Sequence, residues 1–339
     1  MRSTSLPHAD VDAPLTTVAL VGCAHIHVPR FMDMLQRRDD VRVAAVWDHD
    51  HGRAERTAAR FGLSPVPELE RIWADETVPA VIICSETVRH RDLALAAVEA
   101  GKHLFVEKPL AAKASESLEM AQAIDAAGLL FSTGFLLRSR AAHRYVRDEI
   151  AAGRMGAITR IEVSVAHAGA LEGWFDDEWR WMADPSLAGF GALGDCGTHG
   201  VDLILWLLGD GAEPTRVTAS TGTLTGRYGS IDEYGHAELE FAAGTHASVW
   251  ASWVDRANPV QLIVSGSDAH ATVIDGRLTY RRIGPDGREA GSQALPEDHP
   301  HAFELFLDAL AGGGSRELVT AAEAARCDAI VEAIYQAPG

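Results

Sequence analysis

The sequence predicts an α/β chain. A doubly wound parallel sheet comes first, followed by an α+β part built on a large, mostly antiparallel open sheet. Three observations lead there. The chain has 339 residues, enough for two domains at roughly 150 residues each. Short, continuously apolar runs alternate with helical stretches up to about residue 135, the pattern of βαβ units. From Pro214 to Arg282 the chain reads as strand after strand with glycine-containing turns, which predicts antiparallel pairing.

Residues 1–16 lack an apolar core and a charged start and read as a loose tail. Val18–Val21 is apolar throughout, as a strand buried on both faces must be. Gly22 follows, then a helix over Pro29–Arg38. A strand at Val41–Trp47 ends at Asp48, and a helix at Arg53–Phe61 stops at Gly62. Next come a strand at Ala80–Cys84, a helix at Arg91–Ala100 closed by Gly101, and a strand at His103–Val106. A helix at Ser115–Ala127 ending at Gly128 and a strand at Leu129–Thr133 complete a first domain over residues 17–135.

Residues 136–339 form the second domain. It opens with a helix at Ala142–Ala152 and a loop holding Trp174, Trp179 and Trp181. The glycine-rich stretch Gly189–Gly200 then leads into a helix reaching about Leu208. Strands follow at Arg216–Thr223, His236–Phe241, His246–Trp253, Gln261–Ser265, Ala271–Ile274 and Leu278–Arg282, one face covered and one open. Helices at His301–Ala311 and Ala321–Tyr335 close the chain. Thr320 and Glu323 are spaced as a capping box before the stripe Cys327, Ile330, Val331, Ile334.

Charge narrows the partners. Lys and Arg number 30 against 48 Asp and Glu, a net −18, which disfavours nucleic acid and anionic membrane surfaces. No run approaches the roughly 18 apolar residues of a spanning helix. Four cysteines without a C-x-x-C pair read as buried thiols in a reducing compartment, so the cytoplasm is the expected address.

Three constellations carry chemistry. In a doubly wound sheet the first strand–turn–helix cradles a pyrophosphate. That turn is Gly22, Cys23, Ala24, His25, Ile26, His27, which keeps only the first glycine of G-x-G-x-x-G. Asp48 ends the second strand, where a carboxylate hydrogen-bonds an adenosine ribose and repels a 2′-phosphate, favouring NAD over NADP. His25 and His27 also form an H-x-H that ligates metal in barrel hydrolases. Such a site must recruit His90 and Asp195, and the antiparallel second half makes no barrel, so no metal is expected. Glu107-Lys108-Pro109 sits at a strand end, where a lysine stabilises an alkoxide or relays a proton, or merely forms a surface ion pair. Finally, Asp195, His199 and Asp202 are spaced i, i+4 and i+7; on one helix the Asp195 carboxylate orients the imidazole.

These residues resemble the Gfo/Idh/MocA oxidoreductases of sugars and cyclitols. The resemblance rests on Gly22, Asp48, the stretch from Ser85 through His90 to Glu107-Lys108-Pro109, and Asp195-x-x-x-His199 ahead of Trp206-Leu-Leu-Gly209. It runs from about Val18 to Tyr335. It implies a Rossmann domain binding NAD and a second domain whose open sheet forms homodimers or homotetramers. It also implies a catalytic set of Lys108, Asp195 and His199 and a cofactor side lined by Ser85, His90 and Glu107. Two departures stand out: Ala24 and His27 replace small turn residues, and Glu86 stands where the family has proline.

The resulting expectation is an NAD-dependent exchange of a secondary alcohol and a ketone on a sugar, aminosugar or cyclitol. A non-catalytic dinucleotide or sugar sensor of the same fold is the alternative, and a metal-dependent hydrolase using His25 and His27 the third. The tryptophan loop either stacks on a sugar or packs in the core.

Overall fold

The computed structural model describes residues 15–284, 289–290, 294–313 and 318–337. Most of the expected N-terminal tail lies outside them. In chain order the first part holds β1 (Thr16–Val21), α1 (Val28–Gln36), β2 (Val41–Trp47), α2 (His51–Arg60), α3 (Glu70–Ala74), β3 (Ala80–Ile83), α4 (His90–Glu99), β4 (His103–Val106), α5 (Ala114–Ala127) and β5 (Phe131–Thr133). The strands form a five-stranded parallel sheet of order β2-β1-β3-β4-β5. Period-two alternation divides its side chains: Ala19, Val21, Val81, Ile83 and Val106 enter one core, Val18, Leu20, Ile82 and Phe105 the other. Burial on both faces is why these strands read as unbroken apolar runs. Helix α1 presents Val28, Phe31, Met32 and Leu35 to the sheet, the i, i+3, i+4, i+7 stripe.

The second part holds α6 (Ala141–Ala151), β6 (Ile158–Ala166), α7 (Gly169–Glu172), α8 (Pro185–Ala188), α9 (Ala192–Asp195), α10 (Gly197–Leu208), β7 (Pro214–Gly222), β8 (Tyr234–Phe241), β9 (His246–Ser252), β10 (Val260–Gly266), β11 (Ala269–Ile274), β12 (Arg277–Ile283), β13 (Glu289–Ala290), α11 (Ala302–Leu310) and α12 (Ala321–Gln336). An eight-stranded sheet runs β13-β12-β11-β10-β6-β9-β8-β7. It is antiparallel apart from β6 beside β9, which is parallel. Strand β6 is the main departure from the expectation, which left residues 153–173 without a strand. Helix α10 covers one face so closely that a Cβ on Gly200 would sit 2.8 Å from Val249. Among the described residues no helix is long and apolar enough to cross a membrane.

The last two helices return to the first sheet. Phe303 of α11 stacks on Phe31 at 4.4 Å and meets Phe105 edge-on at 4.9 Å. Each buried ring contributes roughly 1.5–3 kcal/mol by area alone. Helix α12 packs on α5, where Asp328 accepts from Ser117 Oγ at 2.6 Å and from the Ala111 amide at 3.0 Å. The predicted Thr320–Glu323 capping box is formed, and α11 has a second one through His301 and Glu304.

Candidate active site

The carboxyl ends of β1, β2, β3 and β4 share one edge of the parallel sheet, as the topology of a doubly wound domain requires. Gly22 leaves β1 at φ +85°, and a Cβ there would lie 2.5 Å from the Ser85 amide. Only glycine allows the turn to press against the end of β3. Ala24 fills the second turn position fully buried, and its carbonyl accepts a hydrogen bond from Trp181 Nε1 at 2.9 Å. Trp181 thus belongs to the turn's support, with its ring 5.9 Å from that of His25. Ile26 is half-buried against the same core.

Glu107 gathers the two turn histidines. Its Oε1 lies 2.8 Å from His27 Nδ1 and 3.8 Å from His25 Nδ1, and its Oε2 accepts from the Lys108 amide at 3.0 Å. Burial pushes the Glu107 carboxyl up, but the histidines and Lys108 override it and hold it well below the usual carboxylate range. His25 is buried and pushed down to about 3, so its ring is neutral. His25, His27 and Glu107 form one of two groups among the described residues close enough to share a metal, the other being His167, Asp195 and Cys196. The H-x-H does not gather the partners expected of a hydrolase. His90 lies with Nδ1 3.1 Å from the Pro109 carbonyl and Nε2 3.2 Å from that of Ser85, pinning two strand-end loops. The Ser85 hydroxyl is likewise turned inward, to the Glu86 carbonyl.

Asp195 belongs to Lys108. Lys108 Nζ lies 2.5 Å from Asp195 Oδ1 and 3.2 Å from its carbonyl, and the lysine is only 4% exposed. Burial pulls the ammonium down, but Asp195 and Glu107 outweigh it and keep Lys108 above its ordinary value. Asp195 is pushed up by burial and drawn well below its ordinary value by Lys108 and His167. Both groups therefore stay charged. The expected alignment of Asp195 with His199 on one helix is not formed. Helix α10 begins at Gly197, Asp195 ends the separate α9, and its second oxygen accepts from Trp253 Nε1 at 2.9 Å. His199 is 6% exposed with Nδ1 buried and without a partner. Burial and the neighbouring Lys108 hold it well below the usual histidine range, hence neutral. Asp202 instead pairs with Arg138 at 2.5 Å in a network reaching Glu323.

Two residues that the sequence reading does not single out also face Asp195. His167 follows β6 and Trp253 follows β9; the parallel pairing sets them side by side, with His167 Nε2 3.8 Å from Asp195 Oδ2. His167 stacks on Trp174 at 4.8 Å, near parallel. Asp48 is the other surprise. It is fully buried, and its oxygens accept from the Cys23 and Asp50 amides and from Arg53. The free carboxylate expected for a ribose is therefore not free.

With this geometry in hand, comparison with known proteins gives a consistent answer. Residues 16–135 match the profile described as oxidoreductase family, NAD-binding Rossmann fold, and residues 143–272 match the GFO/IDH/MocA C-terminal domain. A 1,5-anhydro-D-fructose reductase of Ensifer adhaerens is 31% identical over 269 residues, covering 77% of this chain and 76% of the relative. A scyllo-inositol 2-dehydrogenase (NAD(+)) of Bacillus subtilis is 28% identical over 261 residues, covering 76% and 70%. In fold, an inositol dehydrogenase homolog from Azotobacter vinelandii complexed with NAD+ superposes with a TM-score of 0.81 at 20% identity, over 98% of this chain and 97% of that one.

Proposed function

The chain belongs to the Gfo/Idh/MocA family of NAD-binding oxidoreductases, and on that premise we propose that it interconverts a secondary alcohol and a ketone on a sugar, aminosugar or cyclitol ring. Lys108, Asp195 and His199 handle the proton. The observation that carries this reading is the ion pair of buried Lys108 with half-buried Asp195, next to a neutral His199 whose buried Nδ1 has no partner among the described residues. The relatives named for an anhydrosugar and an inositol support the substrate class.

The dinucleotide, when bound, supplies the acceptor or donor of the hydride; the chain's own task is the proton. Gly22 and Ala24 suit the approach of its pyrophosphate, because the turn is tight and α1 opens beside it. His199, uncharged across the ordinary pH range, accepts the carbinol proton in oxidation and returns it to the oxygen in reduction. Lys108, kept charged by Asp195, stabilises the negative charge gathering on that oxygen. Trp253 and His167 hold the far side of Asp195, so the lysine has one position. The open face of the eight-stranded sheet, with Trp250 and Ile274 exposed, suits a homodimer or homotetramer.

The test follows the nicotinamide absorbance band with 1,5-anhydro-D-fructose, scyllo-inositol, levoglucosan and aminosugars. Wild type turns over at least one, while His199→Asn and Lys108→Met each lose about 10²-fold or more in kcat and still bind NADH. Full turnover in either variant overturns the mechanism. A chain that binds NADH and a sugar yet leaves the band unchanged across the panel is a sensor, which overturns the reading.

A further inference from the structure

The adenosine end of the crevice departs from what its strand-end carboxylate leads one to expect. Asp48 Oδ2 accepts from the Cys23 amide at 2.6 Å and from Arg53 Nε at 2.9 Å. Asp48 Oδ1 accepts from the Asp50 amide at 2.8 Å and from Arg53 Nη2 at 2.9 Å. An ionised carboxylate offers about four acceptor sites, so all are taken by the chain itself. The same Nη2 reaches Glu86 Oε1 at 2.7 Å. Asp48 follows β2 and Glu86 follows β3, the two neighbours of β1. The Arg53 guanidinium therefore bridges the two strand ends between which the adenosine half of a dinucleotide crosses.

Its surroundings are close to electrically balanced. Asp48 and Glu86 outnumber Arg53 by one charge, Arg89, 3.3 Å from Glu86 Oε2, offsets it, and His49 Nδ1 lies 3.2 Å from Asp48 Oδ1 and 3.7 Å from Glu86 Oε2. Along α2, Arg56 and Arg60 follow Arg53 at i+3 and i+7. All three line a cleft of about 490 Å³ beside Cys23 and the start of α1. Asp50 and Glu178 line the same cleft, so the three arginines leave it with a small positive excess next to the dinucleotide turn of a chain of net charge −18. A buried, neutralised carboxylate neither binds a ribose hydroxyl nor repels a phosphate. A clamped guanidinium with cations behind it donates to either.

We propose that Arg53 is the residue that sets dinucleotide choice, and that it makes this chain accept the 2′-phosphorylated dinucleotide as well as the unphosphorylated one. This rests on reading the crevice as a dinucleotide site. Glu86 and Asp48 act as its positioning residues.

Quenching of intrinsic tryptophan fluorescence by NADH and by NADPH tests it without any substrate. Wild type binds the two within about tenfold of each other. Arg53→Ala releases Asp48: NADPH weakens about tenfold or more, the effect of one lost charge-assisted hydrogen bond, while NADH changes little. Arg53→Lys, which keeps the charge and the packing, lies between and covers the case in which the alanine variant fails to fold. Glu86→Gln, which loosens the clamp, tightens NADPH. Wild type that binds NADH more than a hundredfold tighter than NADPH overturns the inference and leaves the dinucleotide site standing. So does Arg53→Lys weakening both equally. Binding of neither cofactor overturns the site as well.

Discussion

Asp328 is a carboxyl group buried where α12 meets the loop that carries Lys108, and replacing it with asparagine makes a prediction that can be worked through. One oxygen accepts from Ser117 and the Ala111 amide; the other is buried without a hydrogen-bond partner among the described residues. Burial pushes the group up to about 7, against the lowering effect of the Ser117, Ala111 and Leu110 bonds. The unfolded chain titrates near 3.8. Between these values the native protein holds a proton that the unfolded chain has released. Stability therefore falls as pH rises through the window and levels off above 7. The slope is about 1.4 kcal/mol per pH unit, so wild type loses about 3 kcal/mol from this group between pH 5 and pH 8. Asp328→Asn removes that dependence, while the histidines common to both chains cancel in the difference. Urea unfolding of both proteins at pH 5, 6, 7 and 8 reads it directly. The stability difference should move by about 2 kcal/mol toward the variant from pH 5 to 7 and level off by pH 8. A difference independent of pH would refute the reasoning, since the carboxyl would then titrate as an ordinary one.

Other perturbations probe the same architecture. Lys108→Met strands a half-buried Asp195 and should cost about 2–3 kcal/mol in urea unfolding; adding Asp195→Asn should cost less than the two single changes together. Additive losses would mean the pair is not coupled. Trp181→Phe keeps the ring but loses the donor to the Ala24 carbonyl, so NADH should bind about three- to tenfold more weakly; unchanged affinity would remove Trp181 from the turn's support. Burial pushes His301 down to about 4, so its unfolded form takes up a proton first, and stability is lost as pH falls below 6.5. His301→Asn keeps an α11 cap and should spare about 1 kcal/mol between pH 7.5 and 5.5, measured as the difference in unfolding free energy. Parallel pH curves would count against it.

The first sheet was readable because most of its strands are buried on both faces and glycine closes α2, α4 and α5, signals that are local. The active site was only half readable. Lys108, Asp195 and His199 stand in recognisable motifs, but what each does depends on partners far along the chain. Strand β6 is the clearest case. Ile161 and Val163 point into the core while Arg160 and Glu162 point out, so its alternation was present in the sequence. Passing over β6 also hides His167. Recognising that His167 and Trp253 meet at Asp195 further requires knowing that β6 and β9 run parallel, which no local pattern encodes. Asp48 illustrates the opposite trap. Its position at a strand end is right, but Arg53, five residues on, had already claimed its oxygens.

The return of α11 to the first sheet has a consequence for synthesis. All five strands of that sheet have been made by residue 133, yet Phe31 and Phe105 are covered by Phe303 and Phe306. As the chain leaves the ribosome at about 5–20 residues per second, this aromatic face waits roughly ten to thirty seconds for its cover. The dinucleotide half is thus an early product with a late seal. A protein ending before α11 would present Phe31 of α1 and Phe105 of β4 open to any passing apolar surface.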